Sequence, residues 1–176
     1  MLKKETRILG LSGTSIGRKT IVASVVFRGS LWLDGVYTIT IGAKERNYNL
    51  QLGNFIMNSK QFPQLQAIII SQRLNLGRAI SIQELARRVK LPVIAIVGSN
   101  KRRRIPRRGY RRPEKFTITV NEEHVLAMAA GVERDQAEKL YRIGCGSQLN
   151  VPEAVRIADL LIEGISRFSD GMLNVT

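Results

Sequence analysis

The segment Lys101–Arg112 concentrates the chemistry of this sequence, because it carries eight Lys or Arg side chains in twelve positions and no acid. Guanidinium groups make planar, paired hydrogen bonds to phosphate oxygens and stack on nucleobases. At this density the cations repel one another unless a polyanion neutralises them. Nucleic acid is the polyanion that we expect. The residues predicted to contact phosphate are Lys101, Arg102, Arg103, Arg104, Arg107, Arg108, Arg111 and Arg112.

Two aromatic residues near these cations favour one class of nucleic acid. Tyr110 lies inside the segment and Phe116 follows it, so both are predicted to stack on unpaired bases. Stacking of this kind favours RNA or single strands over duplex DNA. A structured RNA, in a ribosome or another ribonucleoprotein particle, is the expected partner. The same charge has two alternative explanations. The segment is a solubilising or targeting loop, or it binds an acidic partner protein.

Four further cations are predicted to widen the interface. Arg18 and Lys19 follow a Gly/Ser-rich stretch at 10–17, whose spacing does not match a nucleotide-binding P-loop. A turn there presents backbone N–H groups and two charges to a phosphate, or is a plain β-turn. Arg73 and Arg78 follow a buried apolar run and are expected to add positive charge beside it.

The elements that position these residues are predicted from hydrophobic periodicity. Strands are expected at 7–11, 19–27 and 31–42, with a turn at 12–17, then a helix within 44–60, a buried strand at 67–70, the helix Ile82–Val89 capped by Ser81, and a buried strand at 92–98. Pro106 and Gly109 then predict a basic loop at 101–115. The layout is α/β, with three antiparallel strands followed by parallel strands with helical crossovers, which is typical of ribonuclease H-like folds.

The last third of the chain is predicted to be largely helical. Phe116–Val120 alternates as an edge strand, and Asn121 is expected to cap a helix that begins at Glu122. A further helix is predicted at 134–143, and Asn150 is expected to cap the C-terminal one. We expect one domain over residues 1–176.

The composition excludes several classes of site. Cys145 and His124 are the only cysteine and histidine, so an intrachain disulfide and a Cys/His zinc cluster are both excluded. A nucleophilic pair of these two residues stays an alternative to structural roles. No apolar run approaches the roughly 20 residues that span a bilayer. We expect a soluble, cytoplasmic protein without a cofactor, which contacts no membrane.

Several short motifs resemble a known family. They are Arg7–Leu11, Val26–Gly29, Leu33–Val36, Ile68–Ile70 with Gly77 downstream, Leu91–Ile94 and Pro152–Asp159. On these residues the chain resembles an archaeal family of unknown function, number ninety-nine among the domains of unknown function, which is related to endonuclease V. The resemblance implies the endonuclease V-like variant of the ribonuclease H fold over most of the chain.

The departures from that family concern its acidic residues. Relatives carry Asp-Asp-Gly after the first strand, where this chain has Ser12-Gly13-Thr14, and Asp-Gly after the fourth, where it has Ser71-Gln72. In nucleases of this fold, clustered carboxylates hold Mg²⁺, and Ser and Gln replace them poorly. We therefore expect a divergent member without a metal site or catalytic residues. The alternative is an active nuclease with unusual metal ligands such as Asp34.

Overall fold

The computed structural model describes residues 5–42, 47–74, 80–97, 113–147 and 149–173. Within them, one sheet contains the strands β1 (Arg7–Ile16), β2 (Lys19–Arg28), β3 (Trp32–Gly42), β4 (Leu65–Ile70), β5 (Val93–Ile96), β6 (Lys115–Val120) and β7 (Glu123–Ala130). The α-helices of the described chain are α1 (Tyr48–Met57), α2 (Ile82–Val89), α3 (Arg134–Gly144) and α4 (Glu153–Leu173). No helix in these residues is both long and apolar enough to cross a membrane.

The strands lie in the order β3-β2-β1-β4-β5-β7-β6. The first three form an antiparallel meander, β4 pairs parallel to β1, and β5 pairs parallel to β4. Strand β7 then runs antiparallel between β5 and the edge strand β6. The predicted α/β architecture, with an antiparallel meander, parallel strands and C-terminal helices, is confirmed.

Helices cover both faces of the central strands, which explains their unbroken apolar sequences. Ile68 and Ile70 of β4 face a cluster that includes Leu52 of α1 and Leu85 of α2. Ile69, the residue between them, faces the opposite cluster with α3. Helix α2 begins where the sequence predicts, since the hydroxyl of Ser81 accepts a hydrogen bond from the backbone of Glu84.

Helix α4 lies directly on the backbone of β1. A Cβ atom added at Gly10 would come within 2.3 Å of the carbonyl carbon of Ala154. Further along the helix, Ala158 and Ile162 pack against the apolar residues of β2, among them Val25. This close approach fixes which residues of α4 stand above the second half of β1.

The turn predicted at 12–17 is wrong. Strand β1 continues through Ile16, and its polar residues pair with β2, for example Ser12 with Ala23. The reversal is a two-residue turn at Gly17 and Arg18, where Gly17 has a φ of +55°. The β-branched partner strand pairs along its whole length and therefore keeps the Gly/Ser-rich stretch extended.

The helix predicted to begin at Glu122 is also wrong. Asn121 and Glu122 have φ angles of +47° and +66°, as in the two-residue turns that join antiparallel strands. The following residues form β7, although Glu, Leu, Met and Ala favour helices. Pairing with β5 on one side and β6 on the other outweighs that propensity.

The cap predicted for α4 is wrong as well. The side-chain oxygen of Asn150 is buried without a hydrogen-bond partner in the described structure, while its backbone carbonyl accepts a bond of 3.0 Å from Tyr141. The helix starts at Glu153, and the carbonyl of Pro152 accepts its first backbone hydrogen bonds. Lys115, the last residue of the predicted basic loop, is the first residue of β6.

Candidate functional site

Two buried serines lie side by side where β1 and β4 pair. Leu11 is opposite Ile70, and the backbone N–H of Ser71 donates to the carbonyl of Leu11 over 2.8 Å. Because side chains alternate along a strand, Ser12 and Ser71 both point towards α4. Their exposed fractions are 0% and 1%, so each hydroxyl needs a partner inside the protein.

Asp159 of α4 is that partner. Ser12 Oγ donates to Asp159 Oδ1 over 2.5 Å, and Ser71 Oγ donates to the same oxygen over 2.6 Å. The pairing of β1 with β4 and the packing of α4 on Gly10 bring these residues together. We call Ser12, Ser71 and Asp159 the serine–aspartate cluster.

Arg73 lies at the solvent side of the cluster. Its Nε is 3.7 Å from Asp159 Oδ1, and its Nη2 is 3.6 Å from Glu163 Oε2. These distances are ion-pair contacts longer than hydrogen bonds, so the N–H groups are not committed to the two carboxylates. The side chain is 48% exposed, and its backbone N–H donates to Ser71 Oγ over 3.2 Å. Arg73 is therefore held beside the cluster with donors free for an anion.

The other predicted site residues lie around this centre. Gly13 follows Ser12 but faces the opposite side of the sheet, against the Leu74 side chain, and Gln72 is exposed in the turn after β4. Arg18 occupies the β1–β2 turn and Lys19 begins β2; both are exposed. Strand β1 continues four residues beyond Ser12, so these two cations lie about 13 Å further along it.

Arg78 and the whole segment Lys101–Arg112, with Tyr110, lie outside the described residues. The described residues nearest to the basic segment are Val97, just after β5, and Pro113, just before β6. Lys115 of β6 and Ala95 of β5 are level, because both pair with Met128 of β7. Because β5 and β6 both run antiparallel to β7, Val97 lies two residues beyond this level and Pro113 two residues before it, on strands that are two spacings or about 10 Å apart.

The first of these flanks lies near the serine–aspartate cluster. Ala95 is level with Ile70, which precedes Ser71, and β5 is the strand next to β4. Val97 therefore leaves the sheet at the same edge as Ser71.

Phe116 does not support the predicted base stacking. Its side chain is only 8% exposed and packs in the core beneath β6. The guanidinium of Arg134 lies 5.6 Å from the centre of its ring and covers it further. An alternating strand turns every second side chain inwards, and Phe116 is on the inward face with Ile118. Of the two aromatic residues, only Tyr110 remains a candidate for stacking.

The residues of this centre do not fit a divalent metal ion. Magnesium in proteins is bound by carboxylates with phosphate or water oxygens. Here both serine hydroxyls donate to one oxygen of Asp159, and a guanidinium faces the same oxygen. Among the described residues, no group of three or more His, Cys, Asp or Glu side chains is placed to hold a metal.

Asp34, the alternative metal ligand, is at the wrong edge of the sheet. It lies at a bulge of β3 and accepts hydrogen bonds from Arg7 Nε at 2.7 Å and Arg28 Nη2 at 3.1 Å. Burial would raise the pKa of this carboxyl, but the two hydrogen-bonded guanidinium groups hold it below its ordinary value. Arg7 precedes Ser12 by five residues, about 17 Å along β1. Asp34 therefore stabilises the start of the meander and cannot act at the serine–aspartate cluster.

Removing one serine hydroxyl tests the cluster as a structural unit. We expect Ser71→Ala to lower the free energy of unfolding by about 2 kcal/mol, because a hydrogen bond to a charged, half-buried carboxylate is lost. Urea unfolding followed by circular dichroism measures the change. Ser169→Ala is the matched control, because that hydroxyl bonds only to a backbone carbonyl one turn back on α4. A loss no larger than that of the control would contradict the assignment.

Cys145 is not an activated nucleophile. Burial raises the pKa of its thiol to about 12, although Arg142 nearby acts in the opposite direction. His124 is exposed on β7, with Nδ1 3.1 Å from Thr119 Oγ1. The geometry therefore does not support the alternative in which Cys145 and His124 form a nucleophilic pair.

The buried thiol gives a pH-dependent prediction. Its pKa rises on folding from the ordinary value of 9.0, so its contribution to stability is full below pH 9 and is lost as the pH approaches 12. At pH 8 we expect iodoacetamide to alkylate the folded protein at least about tenfold more slowly than the urea-unfolded protein. Mass spectrometry of timed samples measures both rates. Equal rates would show an accessible, ionised thiol.

Sequence comparison relates the chain to archaeal proteins along its length, although no protein-family model matches it. A UPF0215 protein of Methanosarcina acetivorans is 27% identical over 184 residues, covering 93% of this chain and 92% of the relative. A UPF0215 protein of Methanothermobacter thermautotrophicus is 27% identical over 185 residues, covering 94% of this chain and 90% of the relative.

Solved structures give the same placement. A protein of unknown function from Archaeoglobus fulgidus superimposes with a TM-score of 0.69 at 20% identity, over 91% of this chain and 98% of that one. Human endonuclease V superimposes with a TM-score of 0.64 at 14% identity, over 94% of this chain and 86% of its own. Marinitoga piezophila Argonaute, solved with a guide RNA, gives 0.54 at 9% identity over 91% of this chain and 30% of its own. The chain is thus a relative of the archaeal UPF0215 proteins and has the endonuclease V-like variant of the ribonuclease H fold.

Proposed function

We propose that this protein binds nucleic acid through phosphate contacts on an endonuclease V-like scaffold, without cutting it. The serine–aspartate cluster carries the proposal, because serine hydroxyls stand where the resemblance implies acids, and the guanidinium of Arg73 faces the carboxylate between them. With both hydroxyls and a guanidinium directed at one carboxylate oxygen, the cluster does not suit a metal ion that would activate water, while the exposed N–H groups of Arg73 can donate to a phosphate. The phosphate contacts are proposed to come from Arg73 and from the cations of Lys101–Arg112, the segment that follows Val97 in the chain.

The relatives of this fold support nucleic acid as the partner in general. Endonuclease V is named for cleavage of nucleic acid, and the Argonaute neighbour was solved with a guide RNA. A net charge of +14 on 176 residues gives a long-range attraction to any polyanion. We propose that the chain is one domain that meets its ligand in the cytoplasm.

We further propose that RNA is preferred over duplex DNA, within a ribonucleoprotein particle such as the ribosome. Tyr110 supports this preference, because an aromatic residue among arginines suits stacking on an unpaired base. Arginine-rich segments also suit the irregular phosphate spacing of folded RNA. Competition between a hairpin RNA and a duplex DNA of the same sequence tests this preference. Equal affinities would reject the preference for RNA and leave only the proposal that the protein binds nucleic acid.

Salt dependence tests the phosphate grip directly. If six to eight cations contact phosphate, log K against log salt should have a slope of roughly −4 to −7. Fluorescence anisotropy with a labelled RNA hairpin between low and moderate salt measures it. A slope near −1, or no binding at low salt, would overturn the proposal. If instead the basic segment docks on an acidic protein, pull-down of that partner will survive digestion with nuclease.

A further inference from the structure

Arg73 lies between two carboxylates that stand one turn apart on α4. Asp159 and Glu163 are four residues apart, so they project from the same side of the helix. The guanidinium contacts Asp159 through Nε at 3.7 Å and Glu163 through Nη2 at 3.6 Å. One cation therefore faces both carboxylates at the edge of the sheet where the serine–aspartate cluster lies.

The loop after β4 fixes this cation in place. Ser71 Oγ accepts the backbone N–H of Arg73 while donating its own proton to Asp159. The same serine thus positions the arginine and the carboxylate that the arginine faces. Arg167 also pairs with Glu163, at 2.6 Å, but from a side chain that is 79% exposed.

In a nuclease of this fold, a divalent ion lies against the carboxylates, and here the guanidinium of Arg73 lies against them instead. A guanidinium cannot supply a bound hydroxide, since it has no open coordination site and does not lose its proton near neutral pH. It can donate hydrogen bonds to a phosphate through N–H groups that its two ion pairs leave uncommitted. The arrangement thus offers donors to a phosphodiester through Arg73 and lacks hydrolytic chemistry.

We propose that Arg73 is the resident cation of this site and holds the position between Asp159 and Glu163 that a divalent ion would otherwise take. The inference rests on the proposed function only for the identity of the anion. The exchange between arginine and metal is measurable without any nucleic acid, so the two proposals can fail separately.

Manganese titration of Arg73→Ala tests this assignment. Removing the guanidinium leaves Asp159 without its cation and Glu163 paired only with the exposed Arg167, and carboxylate oxygens are ligands that Mn²⁺ accepts. We expect the variant to bind Mn²⁺ at least about tenfold more tightly than the wild-type protein, because a fixed positive charge no longer repels the ion. Mn²⁺ electron paramagnetic resonance on the full chain without RNA measures the bound fraction.

Three further variants identify the site of the gained binding. Adding Asp159→Asn to Arg73→Ala should remove the gain, since it deletes the central carboxylate. Arg167→Ala should resemble the wild type, because Arg73 still contacts Asp159. Arg73→Gln, which keeps a polar side chain but removes the charge, should repeat the gain and serves if the alanine variant is less stable.

Two outcomes would overturn the inference. One is Mn²⁺ binding by the wild type as tight as that of the Arg73 variants. The other is no gain in either Arg73 variant while circular dichroism shows the native fold. Loss of RNA affinity in Arg73→Ala without any gain in Mn²⁺ binding would support the proposed function but reject the cation exchange.

Discussion

Replacing Arg102, Arg103, Arg104, Arg107 and Arg108 together with alanine will weaken RNA binding by at least about 10³-fold at moderate salt. The reason is that five of the eight cations in the basic segment are lost, and each phosphate contact adds to the affinity by releasing counterions. The melting temperature should stay nearly unchanged, because charged side chains at this density belong to a solvated surface and not to an apolar core. Fluorescence anisotropy and thermal melting followed by circular dichroism measure the two effects.

The matched control replaces the same five arginines with lysine. It preserves the charge but removes the planar guanidinium, so affinity should fall much less than in the alanine variant. The salt slope should then remain close to that of the wild type. A melting temperature lowered by many degrees in the alanine variant would show that the segment is structural. Unchanged binding would remove it from the interface.

Gly10→Val will produce the largest loss of stability, about 3 kcal/mol or more. A Cβ at this position would lie 2.3 Å from the carbonyl carbon of Ala154 and 2.4 Å from its oxygen. These are backbone atoms of α4, so no side-chain rotation relieves the contact, and the helix must move off β1. The free energy of unfolding from urea titration measures the cost.

Gly164→Ala is the matched control for this prediction. Gly164 also belongs to α4, but nothing lies within 4 Å of its added Cβ. Alanine is the better helix former, so this variant should gain roughly 0.5–1 kcal/mol. If Gly10→Val were as stable as the wild type, α4 would not pack on β1 as described, and Asp159 would have no fixed place above the serines.

The sequence predicts elements well where one local signal agrees with the packing. The apolar run at Ile68–Ile70 is a central strand because helices cover both of its faces. Ser81 and Glu84 give a capping box that forms as expected, and it sets the first residue of α2. In these cases composition, periodicity and environment favour the same structure.

The failures occur where distant pairing decides the local structure. Glu123–Ala130 contains good helix formers but becomes a strand, because β5 and Phe116–Val120 supply its hydrogen-bond partners. The composition of the Gly/Ser-rich end of β1 predicts a turn, but pairing with β2 keeps this end extended. Such outcomes depend on contacts between residues far apart in the chain, which propensity does not describe.

Asp159 was missed as a site residue for the same reason. It is part of the motif Pro152–Asp159, and its position next to the buried Ala158 places it at the border of the apolar face of α4. That border position was the available signal. Its 147-residue separation from Ser12 means that only the packing of α4 on Gly10 brings the two together.

A single gel tests the central claim, which is binding without cleavage. End-labelled hairpin RNA is incubated with the protein in Mg²⁺, in Mn²⁺ and in EDTA, and each sample is run on a native and on a denaturing gel. We predict equal retardation in all three conditions and full-length RNA throughout. Cleavage that appears with either metal and disappears with EDTA would contradict the account, as would an RNA that is not retarded at low salt.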